Sequence, residues 1–173
     1  MSKKQKVVRA IAVVLLALTA WLGVSLHSNI PGSPTLALKA FYEREVAEDQ
    51  IMDPLILAGP KVIPLLEKEV VNPAMPNRRY AIGALGNLGS KAALSTLEKL
   101  VATKSEVPYI RCDALTAIGM IDTEEGLRMA KSVKGERLEC LADIEDLDRD
   151  YTQWLKLNAP TRTYFQAILG RHS

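Results

Sequence analysis

The chain has 173 residues, of which 48% are hydrophobic and 5% aromatic, and a net charge of +2. Four of its 22 basic residues come before residue 10 and no acidic residue comes before Glu43, so the remaining 18 basic residues face 20 acidic ones. This length favours one domain, and a body without excess positive charge argues against nucleic-acid binding, whose electrostatic signature is a basic face.

The N-terminal segment combines that basic start with a long apolar run. Residues 10–26 contain no charged residue, and a membrane-spanning helix needs roughly 17–25 such residues. Residues 1–29 are therefore predicted to form a single transmembrane anchor. Because positive charge accumulates on the cytoplasmic side of such helices, we expect a cytoplasmic N-terminus and an extracytoplasmic C-terminal domain, either periplasmic or extracellular.

Other interpretations of the N-terminal segment are possible. A cleaved signal peptide has the same basic start and apolar centre, and Gly23–Ser25 offers a weak cleavage site; the protein would then be secreted. A lipoprotein anchor is excluded because no cysteine precedes Cys112. A helix buried in a soluble core is disfavoured because the run is apolar all round. Residues 30–34, rich in proline and glycine, predict a linker to a domain spanning residues 35–173.

A sequence repeat organises the middle of the chain. At a spacing of 33 residues, Arg78 aligns with Arg111 and Gly86 with Gly119. The apolar residues between them also align, namely Ala81, Ala84 and Leu85 with Ala114, Ala117 and Ile118. Their spacing predicts one face of a helix. Each of these helices follows another apolar helix, so the repeating unit is a helical hairpin.

The flanks of the repeat predict capping helices. The hairpins are clearest over residues 59–121, with caps over residues 35–58 and 122–173. The predicted capping helices are Ser33–Glu48 and Asp53–Gly59 upstream, and Thr123–Val133, Arg137–Tyr151 and Leu155–Leu169 downstream, the last packed against the end of the stack. The predicted fold class is all-α: a short α-solenoid of about three to four hairpins, preceded by one N-terminal transmembrane or signal helix.

Glycines and polar residues mark the helix boundaries. Gly86 and Gly119 each cost about 1 kcal/mol of helix propensity relative to alanine, so their recurrence predicts close approach between helices. Gly89 is predicted to end its helix in the left-handed conformation. Asn77 and Ser90 are predicted to cap the helices that follow them.

Residues 59–121 resemble a HEAT repeat, in particular the short repeats of phycobilisome-lyase-type HEAT proteins. The motif is an arginine, an alanine three residues later, Ala-Leu-Gly-x-Leu-Gly, and a helix containing Leu-Glu-Lys. The resemblance implies a helical stack whose second helices line a concave, partner-binding side. In that family an aspartate in the turn often joins the arginines in a polar ladder between repeats. Here only Glu106 can replace that acid, so an intact ladder is not expected.

The sequence offers little support for catalysis or metal binding. Its two histidines, His27 and His172, lie outside the predicted stack, and neither a metal-ligand cluster nor a nucleophile with its base can be assigned. We predict no catalytic residue, cofactor or metal. Cys112 and Cys140 are predicted to be packing residues. The alternative is a disulfide, which an exported topology permits but which is disfavoured because the two belong to different repeats and packed helices lie 8–10 Å apart.

The remaining candidate is a binding surface at the starts of the second helices. Arginine and tyrosine are favoured at protein interfaces. The candidate residues are Arg78, Arg79, Tyr80, Tyr109, Arg111 and Asp113. The alternative for the two repeated arginines is a structural role in stacking. We predict a non-enzymatic, membrane-tethered scaffold or adaptor that binds a protein partner. The alternative, implied by the resemblance, is a lyase-like or chaperone-like factor that handles a bilin, although aromatic residues to grip a tetrapyrrole are few.

Overall fold

The computed structural model describes residues 5, 9, 11–19, 33–43, 46–136 and 138–169. These residues form helices and turns and no strand, which confirms the all-α prediction. The α-helices after residue 33 are α1 (Pro34–Glu43), α2 (Asp53–Ala58), α3 (Ile63–Glu69), α4 (Arg78–Leu88), α5 (Leu94–Ala102), α6 (Pro108–Ile121), α7 (Thr123–Val133), α8 (Leu147–Asn158) and α9 (Tyr164–Leu169). Short 3-10 turns occupy Glu48–Gln50, Gly59–Val62, Lys91–Ala93, Lys134–Glu136 and Glu139–Leu141.

The predicted transmembrane segment lies only partly within this description. Residues 11–19 are helical, and their apolar side chains are exposed. The rest of residues 10–26 lies outside the described residues. Within the described part of the chain, no helix is both long enough and apolar enough to cross a membrane.

The helices stack in two layers. Helices α2, α4 and α6 pack side by side in one layer, and α8 joins α6 at its end. The other layer contains α3, α5 and α7, each packed against its hairpin partner or neighbour. We call the surface formed by α2, α4 and α6 the second-helix face. The core between the layers is aliphatic, with fully buried Leu66, Leu85, Leu97, Leu115 and Ile118.

Several predicted boundaries are confirmed. Gly89 ends α4 with φ 65°, and the Ser90 hydroxyl accepts a hydrogen bond from Ala92 N at 3.4 Å. Asn77 precedes α4 with φ 54°, but the prediction that its side chain caps the helix is wrong, because it makes no capping hydrogen bond. A methyl group on Gly86 would lie 3.0 Å from Ala117 Cα, so α4 and α6 approach closely there, as predicted.

Gly119 has a different neighbour from Gly86. A methyl group at Gly119 would lie 2.4 Å from the Tyr151 hydroxyl oxygen, and one at Gly126 would lie 2.5 Å from Gly119 Cα. The two glycines therefore let α6 and α7 approach and leave room for a tyrosine from α8. Tyr151 is 1% exposed, and its hydroxyl has no hydrogen-bond partner.

An arginine ladder joins successive hairpins. The expectation that the ladder would not be intact is therefore wrong. Arg78 donates from Nε to Val70 O at 2.5 Å and from Nη2 to Glu106 Oε2 at 2.6 Å. Arg111 repeats the arrangement with Val101 O at 2.7 Å and Glu136 Oε2 at 2.7 Å. Each acid comes from the turn of the next hairpin, so an acid missing from the arginine's own turn does not break the ladder.

The C-terminal third departs from the predicted helices. The predicted helix Arg137–Tyr151 is replaced by the 3-10 turn Glu139–Leu141 and by α8, which begins only at Leu147 after an Asp146 cap. That turn packs directly on α6. Cys140 therefore comes within 5.9 Å of Cys112, Cα to Cα, and the two form a disulfide. The prediction of unbonded packing cysteines is wrong, because Cys140 lies on a turn rather than on a separate packed helix.

The chain then returns along the stack instead of capping its end. Residues 159–163, which we call the strap, lead from α8 to α9, and α9 packs on α2 at the opposite end. Arg162 donates from Nε to Asp53 Oδ1 at 2.6 Å and from Nη2 to Asp53 Oδ2 at 2.8 Å. Both side chains are 1% exposed. The prediction that Leu155–Leu169 packs against the end of the stack is therefore wrong.

Candidate functional site

The strap lies in register with the repeats on the second-helix face. Gly59 and Gly89 both end their helices with positive φ and lie 30 residues apart. At the same spacing, Asp53 on α2 is equivalent to Gly83 on α4. Arg162 binds Asp53, and Pro160 Cγ would lie 3.2 Å from a methyl group on Gly83. Successive strap contacts thus fall on successive hairpins.

Asn87 holds the strap by its backbone. Its Nδ2 donates to Pro160 O at 2.5 Å, and its Oδ1 accepts from Arg162 N at 2.7 Å. A side-chain amide can donate and accept hydrogen bonds at once, so Asn87 binds the backbone of the strap and not its side chains. The strap therefore covers the second-helix face over α2 and α4.

Beyond the strap, this face contains a cleft of about 180 Å³. Its walls come from the turn before α2, from α4 and α6, and from the junction of α8 with the strap. The lining residues are Glu48, Met52, Arg79, Tyr80, Gly83, Asp113, Thr116, Asn158 and Pro160. A shallower hollow continues from the cleft past Tyr109 to the disulfide. The cleft is therefore an opening between the hairpins and the returning chain.

Asp113 and Arg79 dominate the charge of the cleft. Arg79 Nε lies 3.5 Å from Asp113 Oδ2, an ion-pair distance that leaves this buried oxygen without a hydrogen bond. The Arg79 side chain is 54% exposed and that of Asp113 24%. Burial raises the pKa of Asp113 above its usual range, and the neighbouring Arg79 partly offsets that shift.

Tyr80 forms the aromatic wall of the cleft. The Arg79 guanidinium carbon lies 5.7 Å from its ring centroid, a cation–π arrangement. Its hydroxyl donates to Glu48 Oε1. Burial, together with this hydrogen bond and the negative charge of Glu48, raises the pKa of Tyr80 to about 12, so the hydroxyl stays a hydrogen-bond donor at neutral pH.

The predicted site residues divide into two groups. Arg78 and Arg111 are buried in the ladder, which accords with the structural alternative for these arginines. Arg79, Tyr80 and Asp113 come together in the cleft, and Tyr109, which is 57% exposed, lies at its rim.

Sequence reasoning did not find the cleft residues that come from outside the two repeats. These are Glu48, Met52, Asn158 and Pro160, and no periodicity connects them with α4 or α6. In the described residues, no group of three or more His, Cys, Asp or Glu side chains is arranged to hold a metal ion.

Comparison with known proteins gives one family match. The model described as PBS lyase HEAT-like repeat matches residues 78–103, which comprise α4, the turn after it and α5. This match supports a HEAT-repeat protein. No curated protein and no solved structure matches the chain.

Proposed function

We propose that the protein is a non-enzymatic HEAT-repeat scaffold that binds a partner protein at the cleft of the second-helix face. The observation that carries the proposal is the convergence there of Arg79, Tyr80 and Asp113, with exposed Tyr109 at the rim. Stacked helical repeats characteristically use such extended surfaces for binding. Tyrosine side chains, here Tyr80 and Tyr109, supply a large share of the binding energy at protein interfaces.

We further propose that the N-terminal segment tethers this scaffold to a membrane, with the repeats on the extracytoplasmic side. The uncharged run over residues 10–26 and the basic residues before it support this topology. The disulfide between Cys112 and Cys140 also supports it, because disulfides persist mainly in oxidising compartments. N-terminal sequencing of the protein recovered from membranes tests the anchor; a mature chain that begins near Leu26 would instead indicate a cleaved signal and a secreted protein.

Affinity purification from detergent extracts, followed by mass spectrometry, tests partner binding. Asp113→Lys and Tyr109→Ala should each deplete the captured partner, because the first reverses charge in the cleft and the second removes an exposed ring at its rim. Glu125→Lys is the matched control: Glu125 is 22% exposed and pairs with half-exposed Arg128 on α7, away from the cleft. Circular dichroism checks that the variants fold. A partner retained by both cleft variants, or lost equally with the control, would refute the proposed surface.

A lyase-like or chaperone-like role is the second candidate, favoured by the description of the matched family model. Pockets for drug-sized ligands usually span about 300–1,000 Å³; the cleft is about 180 Å³, and hollows of about 420 and 280 Å³ adjoin it, so size alone does not separate the two candidates. Absorbance spectroscopy of the purified protein with added bilin distinguishes the two. A stoichiometric shift in the bilin spectrum would favour the second candidate, and an unchanged spectrum would favour the scaffold.

A further inference from the structure

We propose that the cleft receives an arginine side chain of the partner, with Asp113 as its counter-ion and the Tyr80 ring as its stacking surface. The inference rests on the proposed partner-binding function and specifies the chemistry that the cleft recognises. It assigns to Arg79 the role of an internal occupant that the incoming arginine displaces.

The first argument is the incomplete pairing of Asp113. Its Oδ2 is buried without a hydrogen bond, and the cation beside it stands 3.5 Å away. A carboxylate can accept two parallel hydrogen bonds from a guanidinium, a stronger and more specific pairing than a single ionic contact. Asp113 therefore has acceptor capacity that Arg79, approaching through Nε, leaves unused.

The second argument is that Arg79 is positioned to be replaced. Its side chain is 54% exposed, and partly exposed ion pairs of this kind contribute little stability. It nevertheless shows the chemistry of the site, because its guanidinium lies beside a carboxylate and over the Tyr80 ring. An arginine that enters from the open side of the cleft would find the same two partners once Arg79 turns towards solvent.

The third argument is an internal precedent on the same face. Two hairpins away from Asp113, Arg162 of the strap makes a two-point contact with Asp53 on α2. The second-helix face thus already binds one guanidinium through a carboxylate, delivered by the strap. The cleft lies where that segment leaves α8, next to Asn158 and Pro160.

The charge and size of the cleft favour a single cationic side chain. With Arg79 displaced, Glu48 and Asp113 are the charged lining residues, so the cleft attracts cations and repels anions. The cleft, at about 180 Å³, has room for one long side chain, and more open hollows of about 420 and 280 Å³ adjoin it. Arginine fits better than lysine because its planar guanidinium can stack on an aromatic ring and bind a carboxylate at two points.

The test is an NMR titration of the full chain in detergent with N-acetyl-arginine methylamide, compared with its lysine and citrulline counterparts. We expect saturable binding of the arginine probe, with shifts at Tyr80, Asp113 and Thr116. The lysine probe should bind more weakly, and neutral citrulline should not bind. Equal binding of citrulline, or shifts confined to other surfaces, would overturn the proposal. Equal binding of lysine would overturn its preference for arginine.

Two variants and matched controls make the titration decisive. Asp113→Asn should weaken the arginine probe at least fivefold, whereas Arg79→Ala should strengthen it severalfold by emptying the cleft. Glu125→Gln and Arg128→Ala alter a similarly exposed ion pair on α7 and should leave binding unchanged. Unchanged binding in both cleft variants would refute the assignment.

The titration and the affinity purification fail separately. If a partner is captured through the cleft but the arginine probe does not bind, only the arginine inference falls. If the probe binds as predicted and no partner depends on the cleft, the guanidinium site stands, but the scaffold function and the assignment of that site to a partner's arginine both fall.

Discussion

The two central hairpins and the C-terminal third are held together by different kinds of contact. Between residues 59 and 121 the same contacts recur: an arginine that bonds the preceding helix end and the next turn, and small residues where helices approach. From residue 134 onward the important contacts occur once. They are the disulfide, the enclosed Tyr151 and the buried Arg162–Asp53 pair.

The difference follows from the length of the stack. In a repeat protein each unit contacts only its neighbours, so the ends need special capping. A stack this short has ends close to every hairpin. Its C-terminal segment closes it by spanning 109 residues of sequence, from Arg162 back to Asp53, and in doing so forms one wall of the cleft. The recurring contacts therefore build the framework, and the single contacts shape the candidate site.

The largest expected effect comes from breaking the strap. Arg162→Ala leaves Asp53, which is 1% exposed, as an unpaired buried charge. Loss of one partner of a buried pair costs about 3–5 kcal/mol, so the free energy of unfolding in urea should fall by about that amount. Arg149→Ala, which removes an exposed pair with Asp150, is the control and should change it by less than about 0.5 kcal/mol. Equal effects of the two substitutions would contradict the special role of the strap.

The disulfide is the next contact to test. It joins cysteines 28 residues apart, and closing a loop of this size stabilises a fold by about 3 kcal/mol through the unfolded state. The double variant Cys112→Ala/Cys140→Ala should therefore unfold at a lower urea concentration than the wild type. Reducing agent should lower the stability of the wild type and leave that of the double variant unchanged. A wild-type mass without the loss of two hydrogens would show that the bond is absent.

A smaller effect is expected where α6 packs against α8. Gly119→Ala places a methyl group against Tyr151 and Leu155, and overpacking of this kind costs about 1–3 kcal/mol. Gly135→Ala is the control, because nothing lies within 4 Å of the added methyl group. Thermal denaturation measures both. A Gly119→Ala variant as stable as Gly135→Ala would show that α8 does not pack on α6 as described.

The smallest expected effects have opposite signs at two tyrosines. Tyr151→Phe removes a buried hydroxyl without a hydrogen-bond partner and should raise the free energy of unfolding by about 1 kcal/mol. Tyr42→Phe removes a hydroxyl that donates to Glu69 Oε2 at 3.1 Å and should lower it by about 1 kcal/mol. Urea denaturation of both variants checks the contrast. Destabilisation by Tyr151→Phe would indicate that its hydroxyl has a partner in solution.

The recurring contacts of the two central hairpins could be predicted from the sequence. A regular repeat places equivalent residues at equivalent packing positions in each hairpin. The helical spacing around Arg78 and Arg111 indicated the hairpins, and the recurring glycine correctly indicated close approach at Gly86. The arginine ladder was missed because its acids lie in the next hairpin, 28 residues after Arg78 and 25 residues after Arg111. Glu106, in the turn before Arg111, could be identified from the sequence, but Glu136 could not, because it follows a helix in which the repeat motif is lost.

The contacts that occur once, in the C-terminal third, are only weakly indicated by the sequence. Gly126, in the middle of a predicted helix, is a local indication that α7 approaches α6 closely. The disulfide forms because a turn, and not the predicted helix, precedes α8. The local sequence pattern does not indicate that turn. The Arg162–Asp53 pair joins opposite ends of the described repeat domain, and nothing in either local sequence marks it. Of the nine residues that line the cleft, Arg79, Tyr80 and Asp113 could be predicted because they lie within the repeat, as does Tyr109 at the rim.

Site-specific photo-crosslinking in intact cells tests the central claim, that the cleft binds a partner, most directly. A photoreactive residue at Tyr109, on the rim of the cleft, is compared with one at Ser95, which is exposed on α5 in the other layer. The account predicts one crosslinked protein from position 109, lost when Asp113→Lys is added, and none from position 95. Crosslinking from position 95 alone, or crosslinking from position 109 that persists with Asp113→Lys, would contradict it.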